Sequence, residues 1–192
     1  MRSAEFDRDQ VLRSAMDVFI TKGYSNTSMQ DLKKATGLHP GSIYCAFNNK
    51  RGLLLAALEH YRDQRYAQFV TLFSQSSSVI SAIESYLEHV VDECEREQIK
   101  DCLLQKALSE LAQQDVEVAD VISQMLKQWQ QTLAEQLALA QQRHEINDQR
   151  DSQHLAQFLV MGIYGLRTFS HTRPEPGVIR RLAADLMAYI QQ

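Results

Sequence analysis

The sequence predicts an all-α protein of about nine helices, and three observations carry that prediction. Only three prolines and seven glycines are spread over 192 residues, which leaves room for long helices. Apolar residues recur at intervals of three and four through most of the chain, the period of a helix with one buried face. Hairpin signals are missing: there is no Asn-Gly or Asp-Gly turn and no extended alternation of β-branched residues. A hydrophobic fraction of 44% suffices for a substantial core.

The helices can be justified in order. In "FDRDQVLRSAMDVFITKG", Phe6, Val11, Leu12, Ala15, Val18 and Phe19 lie close to one helical face, and Gly23 closes the helix. Ser28 followed by Asp31 fits a capping box, so a short second helix starts there and runs to about Thr36, where Gly37 stops it. Pro40 suits the first turn of a third helix, because its missing N–H has no partner there anyway. That helix carries Ile43, Tyr44 and Phe47; "NNK" breaks it, and Asn49 can cap a fourth helix from about Lys50 to Phe73. Beyond "SQSSS" the pattern predicts helices over about 78–97, 102–113, 115–143, 151–170 and 175–190, broken at "EQIKD", "QQD", "HEIND" and "TRPEPG". The expected organisation is an N-terminal three-helix unit, residues 1–50, followed by a C-terminal helical bundle, residues 51–192.

Two short helices joined by a tight turn, the first capped and the second opened by proline, form a helix-turn-helix. A plain bundle has no need of that corner. It makes sense if the third helix enters a DNA major groove, with Gly41 and Ser42 letting the backbone come close. Their N–H groups sit at a helix N-terminus, where the dipole favours phosphate. Ser28 and Lys50, at the starts of the second and fourth helices, are candidates for the flanking phosphates. Charge agrees: residues 1–52 hold eight Lys/Arg and five Asp/Glu, a net +3, whereas the remainder holds twelve and nineteen, a net −7. A basic head thus sits on an acidic body.

Other functions find little support. The polar start has no apolar segment behind it, and the longest nearly uncharged apolar run, "FLVMGIYGL", is too short to span a bilayer, so a soluble cytoplasmic protein with no membrane partner is expected. Cys45, Cys94 and Cys102 match neither a redox pair nor a zinc spacing, and the six histidines are scattered, so no metal or cofactor is expected. There is no P-loop, no dinucleotide fingerprint and no nucleophile elbow, which makes an enzyme the weakest reading.

The segment Val11–Leu54 resembles the TetR family of transcriptional repressors. Phe19, Gly23, Tyr24, Thr27, Ser28, Gly37, Leu38, Gly41, Ser42, Ile43, Tyr44, Phe47, Lys50, Leu53 and Leu54 match its pattern at fixed spacing. The resemblance implies a homodimer whose C-terminal bundle binds a small-molecule inducer and dimerises through its last two long helices, on a palindromic double-stranded operator. It places Tyr44 and Lys50 on backbone phosphates, and Gln30, Pro40, Gly41 and Ser42 at or near the groove. Two residues depart from the pattern: Ala46 replaces a common histidine, and His39 stands where Ser or Thr often caps the recognition helix, as either a cap or a DNA-facing residue. A second resemblance, to one branch of the family, covers Cys102-Leu103, Glu110 and Asp115-Val116-Glu117-Val118, with Asp101 replacing a glycine. In some relatives the equivalent cysteine senses oxidants or electrophiles.

The dimer seam is expected on the apolar stripes of the last two helices, at Leu155, Leu159, Gly162, Leu166, Leu182, Leu186 and Tyr189, with Gly162 and Gly165 permitting close approach. An inducer pocket is expected among Tyr61, Phe69, Tyr86, Cys102, Trp129 and Phe158. The leading function is a repressor released from DNA by an inducer. The alternatives are a thiol sensor using Cys102 and an architectural DNA-binding protein without inducer.

Overall fold

The computed structural model describes residues 6–96 and 102–192. Among them are nine helices and no strand: α1 (Arg8–Lys22), α2 (Met29–Thr36), α3 (Pro40–Phe47), α4 (Lys50–Gln75), α5 (Val79–Cys94), α6 (Leu103–Leu111), α7 (Val116–Gln142), α8 (Ser152–Ser170) and α9 (Val178–Gln191). The expected all-α class and all nine helices are present. The helix expected over 78–97 stops at Cys94, and the last helix starts at Val178 rather than near residue 175. Pro174 and Pro176 carry no N–H, and Gly177 takes a left-handed conformation as the N-cap, so the helix begins only behind them.

The chain forms two compact units. The first comprises residues up to 65 together with 102–125 among the described residues, so α6 and the start of α7 belong with the helix-turn-helix. Packing therefore draws its line elsewhere than the 50/51 division expected for function. α1 packs on α2 and on α6. Val11, Leu12, Phe19, Leu32, Ile43, Phe47, Leu53 and Leu54 are buried in its core, each such side chain contributing roughly 1.5–3 kcal/mol. Helix ends are fixed locally. Asp7 accepts from the Gln10 amide at the start of α1. The capping box on α2 is complete: Ser28 Oγ accepts from the Asp31 amide at 3.1 Å and Asp31 Oδ2 from the Ser28 amide at 2.9 Å. Asn49 Oδ1 accepts from the Gly52 amide at 2.8 Å and caps α4.

The second unit comprises residues 66–96 and 126–192. α5, α8 and α9 pack on one another. Asp151 caps α8 by accepting from two amides, and Ser78 with Ser81 caps α5. Arg167 and Glu93 form a 2.7 Å ion pair whose side chains are 6% and 15% exposed. Leu155, Leu159 and Leu166, expected at a dimer seam, are instead 0%, 0% and 3% exposed within the chain's own core. Gly162 admits the side chain of Leu186 from α9 of the same chain, and Tyr189 packs on Phe158 with ring centroids 4.0 Å apart. The outer face of the two helices carries Met161, Phe169 and Leu182, all exposed, while Gly165 faces open space. No helix among the described residues is long and apolar enough to cross a membrane.

Candidate nucleic-acid interface

The corner is built as its sequence suggests. Gly37 leaves α2 with φ of 71°, a left-handed turn that a side chain resists. His39 is the N-cap of α3: its Nδ1 accepts from the Gly41 amide at 3.3 Å. Of the two roles open to it, the cap is therefore made, and the ring remains exposed. Pro40 occupies the first turn. α3 buries Ile43 and Phe47 at 0% and 4% exposure, while Tyr44 stands 51% exposed on the opposite side. Gln30, Lys33 and Lys34 are exposed on α2, as are Gly41 and Cys45 on α3; Pro40 and Ser42 are half-buried.

Three details differ from the sequence reading of phosphate sites. The Gly41 amide is taken by His39 Nδ1 and the Ser42 amide donates to the His39 carbonyl at 2.8 Å, so both are already bonded within the chain. Ser28 spends its amide and hydroxyl in the capping box. Lys50 turns toward the α1–α2 turn: its amine donates to the Tyr24 and Thr27 carbonyls, each at 2.9 Å, and lies 4.2 Å from the Tyr24 ring centroid. Burial holds the Lys50 pKa below the usual lysine value, and the nearby Glu110 carboxylate opposes that shift. Asp31 is held well below the usual carboxylate range by hydrogen bonds from Lys22, then from Ser28.

This helix-turn-helix, with an exposed α3 face above a buried one, matches known proteins across nearly the whole chain. A model of bacterial regulatory proteins of the tetR family matches residues 11–57, and one of the tetracyclin repressor-like C-terminal domain matches residues 80–186. The chain belongs to the TetR family. It is 33% identical over 168 residues to the HTH-type transcriptional repressor ComR of Escherichia coli K12, covering 86% of this chain and 80% of ComR. It is 30% identical over 160 residues to the uncharacterized HTH-type regulator YezE of Bacillus subtilis 168, covering 82% of each. Among solved structures, a cysteine mutant of the TetR family regulator CifR, complexed with 26 bp double-strand operator DNA, superposes with a TM-score of 0.83 at 26% identity over 98% of both chains. A TetR regulator from Chloroflexus aurantiacus shares the fold with a TM-score of 0.84, 22% identity and coverage of 96% and 94%. Membership makes this chain a DNA-binding transcriptional regulator rather than an enzyme.

The residues expected around an inducer fall into separate groups. Phe69, Tyr86 and Trp129 join one aromatic row with Phe73 and Tyr164, with successive ring centroids 4.2 to 6.4 Å apart. Phe158 pairs with Tyr189. Tyr61 is buried and Cys102 half-buried in the first unit, where Cys102 is the N-cap of α6 without a side-chain capping bond. A cleft of about 490 Å³ in the second unit is lined by none of them; Cys94, Ser170, Arg173, Pro176 and Ile179 form part of its wall. Among the described residues no group of three or more His, Cys, Asp or Glu side chains is placed to hold a metal ion.

Sequence reasoning missed the groups that fasten the α1–α2 turn and those that join the start of α4 to the start of α7. Glu110 accepts from the Ser25 amide at 3.1 Å, and Lys106 donates to the Ile20 carbonyl at 2.6 Å. Arg51 binds Asp115 at 2.6 and 3.1 Å and Glu117 at 2.8 Å. The signal available was the branch resemblance, which singled out Glu110, Asp115 and Glu117 beside its cysteine.

Proposed function

We propose that this regulator is a homodimeric repressor that binds an inverted-repeat operator and leaves it when a small molecule binds its helical body, residues 51–192. The observation that carries the reading is α3, an eight-residue helix with one face in the core and Tyr44, Gly41 and a half-buried Ser42 on the other. In a dimer, two such helices reach successive major grooves when they stand about 34–36 Å apart. Tyr44 acts in affinity for any sequence, Gln30, Pro40, Gly41 and Ser42 in selectivity, while Lys50, bonded to the Tyr24 and Thr27 carbonyls, serves the head by holding its α1–α2 turn. The CifR complex with operator DNA supports the same use of the head. Support for the dimer comes from the exposed Met161, Phe169 and Leu182 beside the open Gly165, an apolar strip without cover in the single chain. The aromatic row Phe69–Tyr86–Trp129 supports an apolar or aromatic inducer class.

Selection from a random duplex library tests this reading. The expected product is one palindrome, bound with steeply salt-dependent affinity. Enrichment of no sequence would sink it. A second reading has Cys102 as the trigger, favoured by its half-buried place at the N-cap of α6. A Cys102→Ser variant that holds the operator under oxidant while the wild type releases it would establish the thiol; unchanged release by a small molecule would leave the inducer reading.

A further inference from the structure

We propose that Lys106 and Glu110 of α6 are positioning residues for operator recognition: they hold the α1–α2 turn in the conformation from which α2 and α3 are presented to DNA. The inference rests on the DNA-binding reading above and assigns work to residues outside the family's DNA-binding segment, 11–57.

The last carbonyls of a helix have no partner within it. At the end of α1, Phe19 O receives the Gly23 amide, and Ile20 O receives the Lys106 amine at 2.6 Å. A cation at that end also opposes the helix dipole. Glu110 lies four residues on, over the same face of α6. Its carboxylate accepts from the Ser25 amide at 3.1 Å and fills the space beside Gly23, where any side chain would collide with it. Lys50 holds the turn as well, through the Tyr24 and Thr27 carbonyls. Thr27 Oγ1 donates to the Gly23 carbonyl at 2.5 Å. The turn is thus fixed by α6 as well as by α4, and it runs directly into Ser28, the cap of α2. A shift of the turn moves α2, and with it α3, which packs on α2.

These polar groups are not what attaches α6. Leu103, Ala107 and Leu111 are 1%, 3% and 2% exposed and supply its burial. Lys106 and Glu110 spend their charges on two backbone groups, at one helix end and one turn, that no apolar contact can align.

The test uses the operator selected by the wild-type protein. Lys106→Met and Glu110→Ala should each weaken operator binding about tenfold, the effect of one lost charge-assisted bond. Helical content and affinity for an unrelated duplex should be unchanged, and Lys106→Arg should bind within about twofold of wild type. Unaltered operator affinity in both variants, or a parallel loss on operator and unrelated DNA, overturns the proposal. If the variants do not fold, the wild type decides: operator binding should slow hydrogen exchange at the Ser25 amide severalfold, since sites coupled in free energy act on each other reciprocally. Exchange indifferent to operator also overturns it. A wild type that selects no operator at all refutes DNA binding itself, a separate outcome.

Discussion

Ile43 and Tyr44 are adjacent in the chain and opposite in duty. Ile43→Ala leaves a cavity in a site with 0% exposure and should destabilise the protein by about 2–5 kcal/mol. Tyr44→Ala removes a side chain that is half in solvent; thermal melting should barely change while operator affinity falls roughly tenfold. Parallel melts and binding titrations separate the two. The cysteines divide in the same way. Cys45 is exposed on α3, whereas Cys94 is 5% exposed and burial pushes its thiol pKa up, despite a hydrogen bond with Ser170. Alkylation of the native protein followed by mass spectrometry should mark Cys45 and leave Cys94 unmodified; equal labelling would contradict the placement. The pH dependence of the first unit follows from Asp31 and Asp115, both depressed, chiefly by hydrogen bonds from Lys22 and Arg51 respectively. Their folded pKa values lie below the ordinary 3.8, so their contribution is present above that pH and is lost as the solution is acidified beneath it. A resonance titration of the Asp31 carboxyl should show its midpoint below 3.8.

At the level of helices, three substitutions test how neighbouring helices are locked. A side chain at Gly52 would run into the backbone carbonyl of Phe47, the last residue of α3, and neither backbone can yield without opening the corner. Gly52→Ala should therefore lower the melting temperature strongly, while Gly37→Ala, open in space but left-handed, should cost only about 1 kcal/mol. Glu93→Ala breaks the buried pair with Arg167 between α5 and α8 and should destabilise by about 3–5 kcal/mol in denaturant titrations. What the sequence made legible follows the same distinction between near and far. The box of Ser28 and Asp31, the Asn49 cap and the proline start of α3 are decided within four residues, and all three are present. The destination of Lys50 was not legible, because nothing local distinguishes an amine aimed at phosphate from one aimed at two carbonyls more than twenty residues back. Glu110 reaches Ser25 across 85 residues, a pairing that no periodicity encodes. On α8 the periodicity supplied apolar residues on more than one side; it assigned Leu155, Leu159 and Leu166 to a seam, whereas packing put them inside and left Met161 and Phe169 out.

For the molecule as a whole, oligomeric state is the first quantity to measure. Met161→Asp and Leu182→Asp change only exposed positions, so each should leave the fold intact and shift sedimentation from dimer toward monomer. Leu159→Asp should unfold the chain instead, because it buries an unpaired charge. Dimers persisting in both surface variants would place the seam elsewhere. The first compact unit has a consequence for anyone recombining these regulators. Its chain departs after residue 65 and returns at the start of α6, so the part that reads DNA is not a contiguous cassette. A chimera spliced just beyond residue 57 would marry one protein's α1–α2 turn to another's α6, with strangers facing Ser25 and Ile20. Such hybrids should succeed when residues 102–125 travel with the graft, and should otherwise misread or lose the donor's operator, however faithfully the recognition helix itself was copied.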